Sequence, residues 1–364
     1  MRLLHFSDLH LDSPFTWAGP ELGRQRRLAL RTALQNITAL AAEQKVDALV
    51  CAGDLYEHDR FTPDTVRFVA DTLNTVEVPV LLAPGNHDWL GPESLYATAG
   101  FADHVHVFDQ THLTPVELAD GFTVWGAAHR APANTDGFLD GFMVDRSGVN
   151  IGLFHGSEQG SMAWQEGGKI PHAPFKARQV TDAGLDHALV GHFHRPRHES
   201  EYTYPGNPDP LVFGETEARG AVLVTIADDG SITRQTFGVA QTVLHDLTLD
   251  LTGCEHASDV AARVGQTLDG QTGIVRLTLH GELGEDVDVR LSDLLVLGRH
   301  LPGFLPRIGT LHVAYDLDTL RTEQTVRGEF VRTVCSDANL DDQQRQAILT
   351  IGLRALAGRT DLDF

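Results

Sequence analysis

The chain has 364 residues, of which 42% are hydrophobic and 21% are charged. This composition is typical of a folded globular protein and excludes disorder along the whole chain. The 28 Lys and Arg residues against 50 Asp and Glu give a formal net charge of −22, which excludes a protein that coats nucleic acid through bulk positive charge. The length favours two domains, which we place at residues 1–240 and 241–364.

Short apolar runs alternate with longer amphipathic segments through the first of these domains. Buried strands are predicted at residues 3–6, 47–52, 78–83, 105–108, 122–125, 149–154 and 188–190. Helices are predicted at residues 25–44 and 63–73, the second capped by Thr62. Residues 221–226 and 232–237 are typical of a hairpin. The order of these elements indicates a layered α/β fold with buried sheets.

Beyond residue 240 the pattern changes. Residues 245–251 and 274–279 alternate like strands, and residues 257–268 have helical spacing, which together favour a small α+β domain. The Gly- and Pro-rich residues 302–309 predict a loop. Two helices are predicted after it, at residues 317–335 and 340–356.

Cysteine usage and hydropathy bear on the cellular compartment. Cys51, Cys254 and Cys335 lie far apart in the chain, without a CxxC pair, so neither a disulfide framework nor a thiolate zinc site is indicated. No segment approaches the roughly 18 apolar residues that a membrane span needs. We therefore expect a cytoplasmic protein that does not associate with membranes.

Five polar motifs each follow directly after a predicted strand. They are Asp8-Leu9-His10, Gly53-Asp54, Gly85-Asn86-His87-Asp88, His155-Gly156 and Gly191-His192-Phe193-His194. Carboxylate oxygens and imidazole nitrogens together suit first-row divalent ions such as Mn²⁺, Fe²⁺, Co²⁺ or Zn²⁺. The motifs offer too many ligands for one tetrahedral ion but enough for two ions that share a carboxylate. Such a pair lowers the pKa of a water molecule and holds a phosphoryl group, which indicates phosphoester hydrolysis.

These motifs resemble those of the calcineurin-like binuclear metallophosphoesterases. Within that family, the segments DLHLDSPF at 8–15, GDLY at 53–56 and YPGN at 204–207 are similar to the SbcD/YhaO-type DNA repair exonucleases. The resemblance covers residues 1 to about 240 and weakens in the C-terminal third. It implies a four-layer α/β/β/α sandwich with a smaller C-terminal α+β capping domain.

The resemblance also implies a role for each motif residue. One metal ion would be held by Asp8, His10, Asp54 and His194, and a second by Asp54, Asn86, His155 and His192. Asp54 would bridge the two ions, for which we expect Mn²⁺. His87 matches the catalytic histidine of the family, which contacts the phosphate and protonates the leaving oxygen. Asp88 is expected to orient the His87 ring.

The chain departs from its relatives at two positions near the motifs. Relatives commonly carry a histidine three residues after the GD aspartate, where this chain has Glu57 followed by His58. A Gly-Arg pair that often follows YPGN in relatives is absent here. We therefore assign substrate binding to His58 and to Arg195 and Arg197, which follow the last motif.

Several further residues are open to two interpretations. The arginines near the first predicted helix either contact a phosphate backbone or lie on a solvated helix face; they are Arg24, Arg26, Arg27 and Arg31. Three aromatic residues close to the motifs either stack on a nucleobase or pack within the fold; they are Trp17, Tyr56 and Trp89.

The leading hypothesis is a Mn²⁺-dependent DNA exonuclease acting 3′ to 5′ on duplex ends in DNA repair, with endonuclease action on single strands left open. The alternatives are a phosphodiesterase or phosphatase for a small nucleotide and a non-catalytic metal-binding scaffold. The chain contains no GxxxxGK[ST] motif, so the resemblance implies a separate ABC-type, SMC-like ATPase partner of the SbcC or YhaN kind. Residues 241–364 would cap the DNA or dock that partner, and a homodimer remains open.

Overall fold

The computed structural model describes residues 1–132, 135–145, 147–160, 171–227 and 230–359. The chain divides into two compact units, Met1–Thr242 and Val243–Phe364. Within the described ranges, no helix is both long enough and apolar enough to cross a membrane.

The first unit alternates strands and helices along the chain. Its described strands are β1 (Arg2–Phe6), β2 (Ala48–Cys51), β3 (Val80–Leu82), β4 (Val105–Val107), β5 (Thr114–Ala119), β6 (Phe122–Gly126), β7 (Val149–His155), β8 (His187–Gly191), β9 (Arg197–His198), β10 (Tyr202–Tyr204), β11 (Ala221–Ile226) and β12 (Ile232–Phe237). Its described helices are α1 (Pro20–Glu43), α2 (Pro63–Asn74), α3 (Leu95–Thr98) and α4 (Ala177–Asp182). Thr62 caps α2 as predicted, since its side chain accepts a hydrogen bond from the Thr65 N–H.

These strands form two six-stranded sheets. One has the order β12–β11–β1–β2–β3–β4 and the other the order β5–β6–β7–β8–β10–β9. Strands β1 to β4 are parallel, as are β6, β7 and β8, so the carboxyl ends of neighbouring strands lie at one edge of each sheet. The predicted hairpin is present as the antiparallel pair β11–β12.

Successive side chains of a strand point to opposite faces of its sheet and therefore belong to different cores. Leu4 of β1 shares a core with Leu34 of α1 on the outer face of the first sheet. Leu3, its neighbour in β1, belongs instead to the core between the sheets, together with Ile151 of β7. Strands β7 and β8 share a third core with α4 on the far side of the second sheet. The predicted four-layer α/β/β/α arrangement is confirmed.

The second unit contains three parallel strands in the order β13–β14–β15. Its described elements are β13 (Leu244–Asp250), α5 (Ala257–Leu268), β14 (Ile274–Leu283), α6 (Leu291–Leu294), a short 3₁₀ turn (Leu295–Gly298), β15 (Gly303–Val313), α7 (Leu317–Thr322), α8 (Val326–Ser336) and α9 (Asp342–Leu356).

Two predictions for this unit are wrong. The segment expected to be a loop at residues 302–309 lies mostly in β15, where Pro306 is opposite Leu277 of β14. Proline is tolerated in β15 because this strand lies at the edge of the sheet. The outer side of its backbone has no partner strand, so a missing N–H on that side breaks no hydrogen bond. The single helix expected at residues 317–335 is two helices, because Thr325 caps α8 and starts it anew.

A buried histidine offers a test of core energetics away from the motifs. His5 of β1 is 0% exposed, and neither ring nitrogen has a hydrogen-bond partner among the described residues. A buried polar group without a partner destabilises the fold. We therefore expect His5→Leu to raise the free energy of unfolding by about 1–3 kcal/mol in urea titrations.

The increase in the free energy of unfolding expected for His5→Leu should depend on pH. Burial lowers the pKa of His5 well below its ordinary value of 6.5, so the unfolded chain binds the proton and stability falls as the pH drops below that value. The gain from His5→Leu should grow over the same range. The matched control is His187→Leu, which should destabilise the protein because the His187 ring nitrogens lie 3.0 Å from the Ser200 carbonyl and 2.9 Å from Thr203 Oγ1.

Candidate active site

The five polar motifs lie at the carboxyl ends of strands from both sheets. Asp8 and His10 follow β1, Asp54 follows β2, and the loop beginning at Pro84 follows β3. In the second sheet, β7 ends at His155 and β8 ends just before His192. Because the two sheets face each other, these strand ends meet in one place.

The backbone at the motif residues is strained. Asp8, His10 and Asp54 have φ angles of 55°, 51° and 53°, and His192 has a φ angle of 112°. Residues other than glycine rarely adopt such angles, and they cluster at functional sites. Hydrogen bonds from Asp8 N to Gly53 O and from His10 N to Asp54 O, both 2.9 Å, hold the first two loops in this conformation.

Glycine is required where two of these loops approach each other. A Cβ atom at Gly85 would lie 2.3 Å from Asp54 Oδ1. Gly53 has a φ angle of +92°, and a Cβ atom there would lie 2.6 Å from His155 Nδ1. Both glycines therefore let the backbone pass directly behind the side chains of the site.

Seven predicted ligands converge into two groups of atoms. In the first, ligand atoms of Asp8, His10 and His194 all lie within 4.8 Å of one another, and in the second the same holds for Asp54, His155 and His192. A third group of the same kind joins His10 and Asp54 to the candidate catalytic residue His87. The remaining predicted ligand, Asn86, places Oδ1 3.1 Å from His155 Nε2. The structure thus brings together the complete ligand set that the sequence predicts.

The two groups share a carboxylate. Asp54 Oδ2 lies 3.6 Å from His10 Nε2 in the first group and 3.2 Å from His155 Nε2 in the second. The ring nitrogens of His10 and His194 lie 3.1 Å apart, a spacing at which two lone pairs repel each other unless a cation or proton lies between them. Nitrogen and oxygen donors of this kind suit first-row divalent ions. The residues therefore fit two metal ions joined by Asp54.

Three of the four candidate ligand imidazoles are held through their other nitrogen. His155 Nδ1 lies 2.8 Å from the Ala52 carbonyl oxygen, and His10 Nδ1 lies 2.8 Å from Glu57 Oε1. His194 Nδ1 lies 3.5 Å from Glu215 Oε1. Partners of this kind fix the tautomer and the orientation of a metal-binding histidine.

Glu57 and Glu215 are functional candidates that the sequence analysis missed. Glu57 Oε2 lies 2.9 Å from His87 Nδ1, so one carboxylate contacts both a ligand ring and the candidate catalytic ring. Its place three residues after Asp54, where relatives carry histidine, was the available signal. Glu215 also accepts a hydrogen bond from Asn207 of the YPGN segment at 2.8 Å, but nothing in its local sequence marked it.

Asp88 does not contact the His87 ring as expected. Its oxygens accept hydrogen bonds from the backbone N–H groups of Gly85, Leu55 and Asp54 at 2.5, 2.7 and 3.1 Å, and from the Tyr96 hydroxyl. These donors occupy the carboxylate, which therefore ties the Asp54 loop to the Asn86 loop. Glu57 takes the place against His87 that we assigned to Asp88.

The predicted substrate-binding residues have partners of their own. Arg195 Nε is 2.8 Å from Glu217, and Arg197 Nε is 2.9 Å from Glu199. The His58 ring stacks on another ring, that of Trp89. A role for these three residues in substrate binding stays a prediction.

The structure bears on four of the residues to which the sequence analysis gave two interpretations. Arg26 is 1% exposed and pairs with Asp209, so neither a contact with a phosphate backbone nor a place on a solvated helix face applies to it. Tyr56 is 0% exposed, which excludes stacking on a ligand. Trp17 donates a hydrogen bond from Nε1 to the Leu211 carbonyl at 2.9 Å, whereas Trp89 is half-buried beside His87.

Carboxylates dominate the electrostatics of the site. Although burial lowers the pKa of His87, its contact with Glu57 and the charge of Asp54 raise that pKa to about 9. Burial likewise opposes ionisation of Glu57, but its hydrogen bonds to His10 and His87 lower its pKa to about 2. In the metal-free protein at neutral pH, His87 is therefore protonated against an ionised Glu57.

Metal affinity is expected to rise with pH. Burial lowers the pKa of His155, but the neighbouring Asp54 carboxylate outweighs burial and raises it to about 9. A bound cation must displace that proton, so the apparent Mn²⁺ affinity should increase by up to about tenfold per pH unit between about pH 6 and about pH 8. Calorimetric titration with Mn²⁺ measures this slope. His300→Ala, at an exposed histidine of the second unit, should keep it, and an affinity independent of pH would contradict the assignment.

Comparison with known proteins places this site in a family. The family model for calcineurin-like phosphoesterases matches residues 1–196, more than half of the chain. The chain belongs to the calcineurin-like phosphoesterases. This confirms the predicted family and the predicted activity in its general form, a metal-dependent phosphoester hydrolase.

Curated relatives of this phosphoesterase are distant in sequence. It is 26% identical to the uncharacterized metallophosphoesterase YhaO of Bacillus subtilis over 309 residues, which are 78% of this chain and 73% of the relative. It is 26% identical to the DNA double-strand break repair protein Mre11 of Methanopyrus kandleri, over 61% of this chain and 52% of the relative. For Mre11 of Haloferax volcanii the identity is 27%, over 79% of this chain and 62% of the relative.

Solved structures of lower identity also match the phosphoesterase. TT1561 of Thermus thermophilus is 13% identical, with a TM-score of 0.39 over 65% of this chain and 98% of that chain. A dimetal phosphatase from Danio rerio is 12% identical, with a TM-score of 0.38 over 61% of this chain and 91% of that chain.

Proposed function

We propose that this phosphoesterase is a DNA nuclease that hydrolyses phosphodiester bonds with two divalent cations, Mn²⁺ being the preferred ion. One observation carries the proposal, namely the convergence of the predicted ligands into two groups joined by Asp54 beside a solvent-accessible His87. The ligands assigned to the ions are Asp8, His10, Asp54, Asn86, His155, His192 and His194.

The chemistry divides between the cations and the protein. Two bound cations would activate a water molecule and neutralise charge on the phosphoryl group. His87 is anchored at Nδ1 by Glu57, and its backbone N–H donates to Asp54 Oδ1 at 2.9 Å. Its side chain is 47% exposed, so the ring can reach a phosphate bound at the surface of the site. We assign to His87 the protonation of the leaving sugar oxygen.

The proposed substrate rests on the relatives as well as on the site. Two of the relatives are DNA double-strand break repair proteins, which supports DNA as the substrate. We propose 3′-to-5′ exonuclease action on duplex ends in cytoplasmic DNA repair, with single-strand endonuclease action as a second activity. An ABC-type ATPase on another chain would supply ATP hydrolysis, and residues 243–364 would cap the DNA or dock that partner.

A small-nucleotide phosphodiesterase is the competing function. The net charge of −22 and the carboxylate partners of Arg195 and Arg197 favour a small ester over a long polyanion. The same two-metal centre accepts either kind of ester, so substrate comparison must decide between them.

The deciding experiment compares four substrates with Mn²⁺ and the purified protein. They are end-labelled duplex DNA, single-stranded DNA, a cyclic dinucleotide and bis(4-nitrophenyl) phosphate. We expect release of nucleotides from duplex ends, and hydrolysis confined to the small esters would overturn the nuclease proposal. Asp54→Ala should abolish hydrolysis of every substrate, whereas Asp71→Ala, at an exposed aspartate of α2, should retain it.

A further inference from the structure

Two aromatic rings lie flat against each other beside His87. The ring centroids of His58 and Trp89 are 3.7 Å apart, with an interplanar angle of 28°. The His58 backbone N–H donates to the His87 carbonyl oxygen at 2.9 Å, and Trp89 follows His87 by two residues. The backbone segments that carry the two rings are therefore held next to the backbone of His87.

The pair is backed by further rings. The centroids of Phe61 and Tyr56 lie 5.8 and 6.3 Å from that of His58, and Tyr56 is fully buried. Trp89, which stacks on His58, is half-buried. His58 therefore has ring neighbours besides Trp89, one of them fully buried, while the indole itself is partly exposed to solvent.

The contacts of His58 suit a supporting ring better than a phosphate ligand. Its Nδ1 atom is buried and has no hydrogen-bond partner within the described part of the chain. Burial also lowers its pKa, so the ring is uncharged at neutral pH and offers its face rather than a cationic N–H. A supporting role differs from the direct substrate binding that we assigned to His58 from the sequence.

The charge around the site favours an uncharged contact with a nucleic-acid substrate. Arg195 and Arg197 are paired with Glu217 and Glu199, and the whole chain is strongly acidic. Cations that are already compensated by carboxylates add little to the binding of a polyanion. An aromatic face, in contrast, stacks on any nucleobase without needing a net positive charge.

We propose that Trp89, supported by His58, is a stacking platform for the nucleobase that adjoins the scissile phosphate. This inference rests on the proposed nuclease function and goes beyond it by naming the part of the nucleotide that is recognised. The platform requires a base but does not distinguish one base from another, because every base has a stacking face.

The test uses Mn²⁺-loaded protein and end-labelled duplexes in which either the terminal or the penultimate nucleotide is a tetrahydrofuran abasic residue. These positions flank the first phosphate to be cleaved. Wild-type protein should cleave the intact duplex about 5- to 100-fold faster than one of the two abasic duplexes. Trp89→Ala should bring that ratio close to one, and Trp89→Phe, which keeps an aromatic face, should retain most of it.

The matched control is Trp125→Ala, which removes a half-buried indole of β6 that packs against Phe142 and should leave the ratio as in the wild type. A wild-type protein that cleaves intact and abasic duplexes equally fast overturns the platform and leaves the nuclease proposal standing. A ratio that persists in Trp89→Ala also overturns it. If no oligonucleotide is cleaved while bis(4-nitrophenyl) phosphate is hydrolysed, both proposals fail.

Discussion

Replacing His87 by Asn is expected to lower kcat for phosphodiester hydrolysis by about 10²- to 10⁴-fold at saturating Mn²⁺, because the leaving oxygen loses its proton donor. The free energy of unfolding should hardly change, since the side chain is 47% exposed and exposed substitutions have small effects. Steady-state kinetics on a labelled duplex and urea unfolding measure the two quantities. A variant that keeps the wild-type kcat, purified free of contaminating nuclease, would remove His87 from the mechanism.

Substitution of Glu57 provides a second test of the role of His87, because Glu57 contacts His87 and His10 through different oxygens. At saturating Mn²⁺, Glu57→Ala should lower kcat by about 10- to 100-fold, and adding it to His87→Asn should cause little further loss. At limiting Mn²⁺ the same substitution should weaken metal binding through His10. Additive losses of kcat in the double variant would show that Glu57 acts independently of His87.

The sequence could predict which residues come together at the site because the information for them is local. Each ligand type follows directly after an apolar run, and strand ends of parallel sheets meet at one edge, so position and chemistry point to the same site. Asp8 and His194 are far apart in the chain, yet both could be assigned from their immediate neighbours. The layered fold could be predicted for the same reason.

The parts that the sequence did not predict depend on contacts between distant loops. Glu215 acquires its role only because the segment after β10 folds back onto His194, and Asp88 loses its expected role because backbone N–H groups of two loops occupy its oxygens. β15 was missed because its composition resembles a loop, whereas pairing with β14 determines its conformation. In each case tertiary contact overrides a local preference.

Arg26 is the clearest example, and it leads to the largest stability effect that we expect. From the sequence it belongs to a basic face of α1, but its Nη2 atom donates to Asp209 Oδ1 and to the Pro210 carbonyl oxygen, both at 2.6 Å. It also donates to the Thr242 hydroxyl, while Asp209 Oδ2 accepts a hydrogen bond from the Gln241 N–H at 2.6 Å. This buried ion pair fastens α1 to two other segments of the first unit.

Arg26→Ala should therefore lower the free energy of unfolding by about 3–5 kcal/mol, because it leaves the Asp209 carboxylate buried without its cation. Asp209→Ala should cost a similar amount, for the converse reason. The double variant Arg26→Leu with Asp209→Leu removes both charges and should recover much of the loss, since apolar residues often replace a buried ion pair at little cost. Urea titration followed by tryptophan fluorescence suits the measurement because Trp17 donates to Leu211, two residues after Asp209.

Arg24→Ala is the matched control on the same helix, because the Arg24 side chain is 61% exposed and pairs only across one helical turn with Glu21. It should change the free energy of unfolding by less than about 0.5 kcal/mol. Equal, small effects at both arginines would mean that Arg26 is not buried against Asp209 in solution, and the basic face of α1 would again be available to a phosphate backbone. A large loss of unfolding free energy confined to the Arg26 variant would mean that only Arg24, Arg27 and Arg31 of this group could contact DNA. Arg24 and Arg31 already pair with carboxylates. That outcome would favour uncharged contacts near His87 over arginines of α1 as the source of substrate affinity.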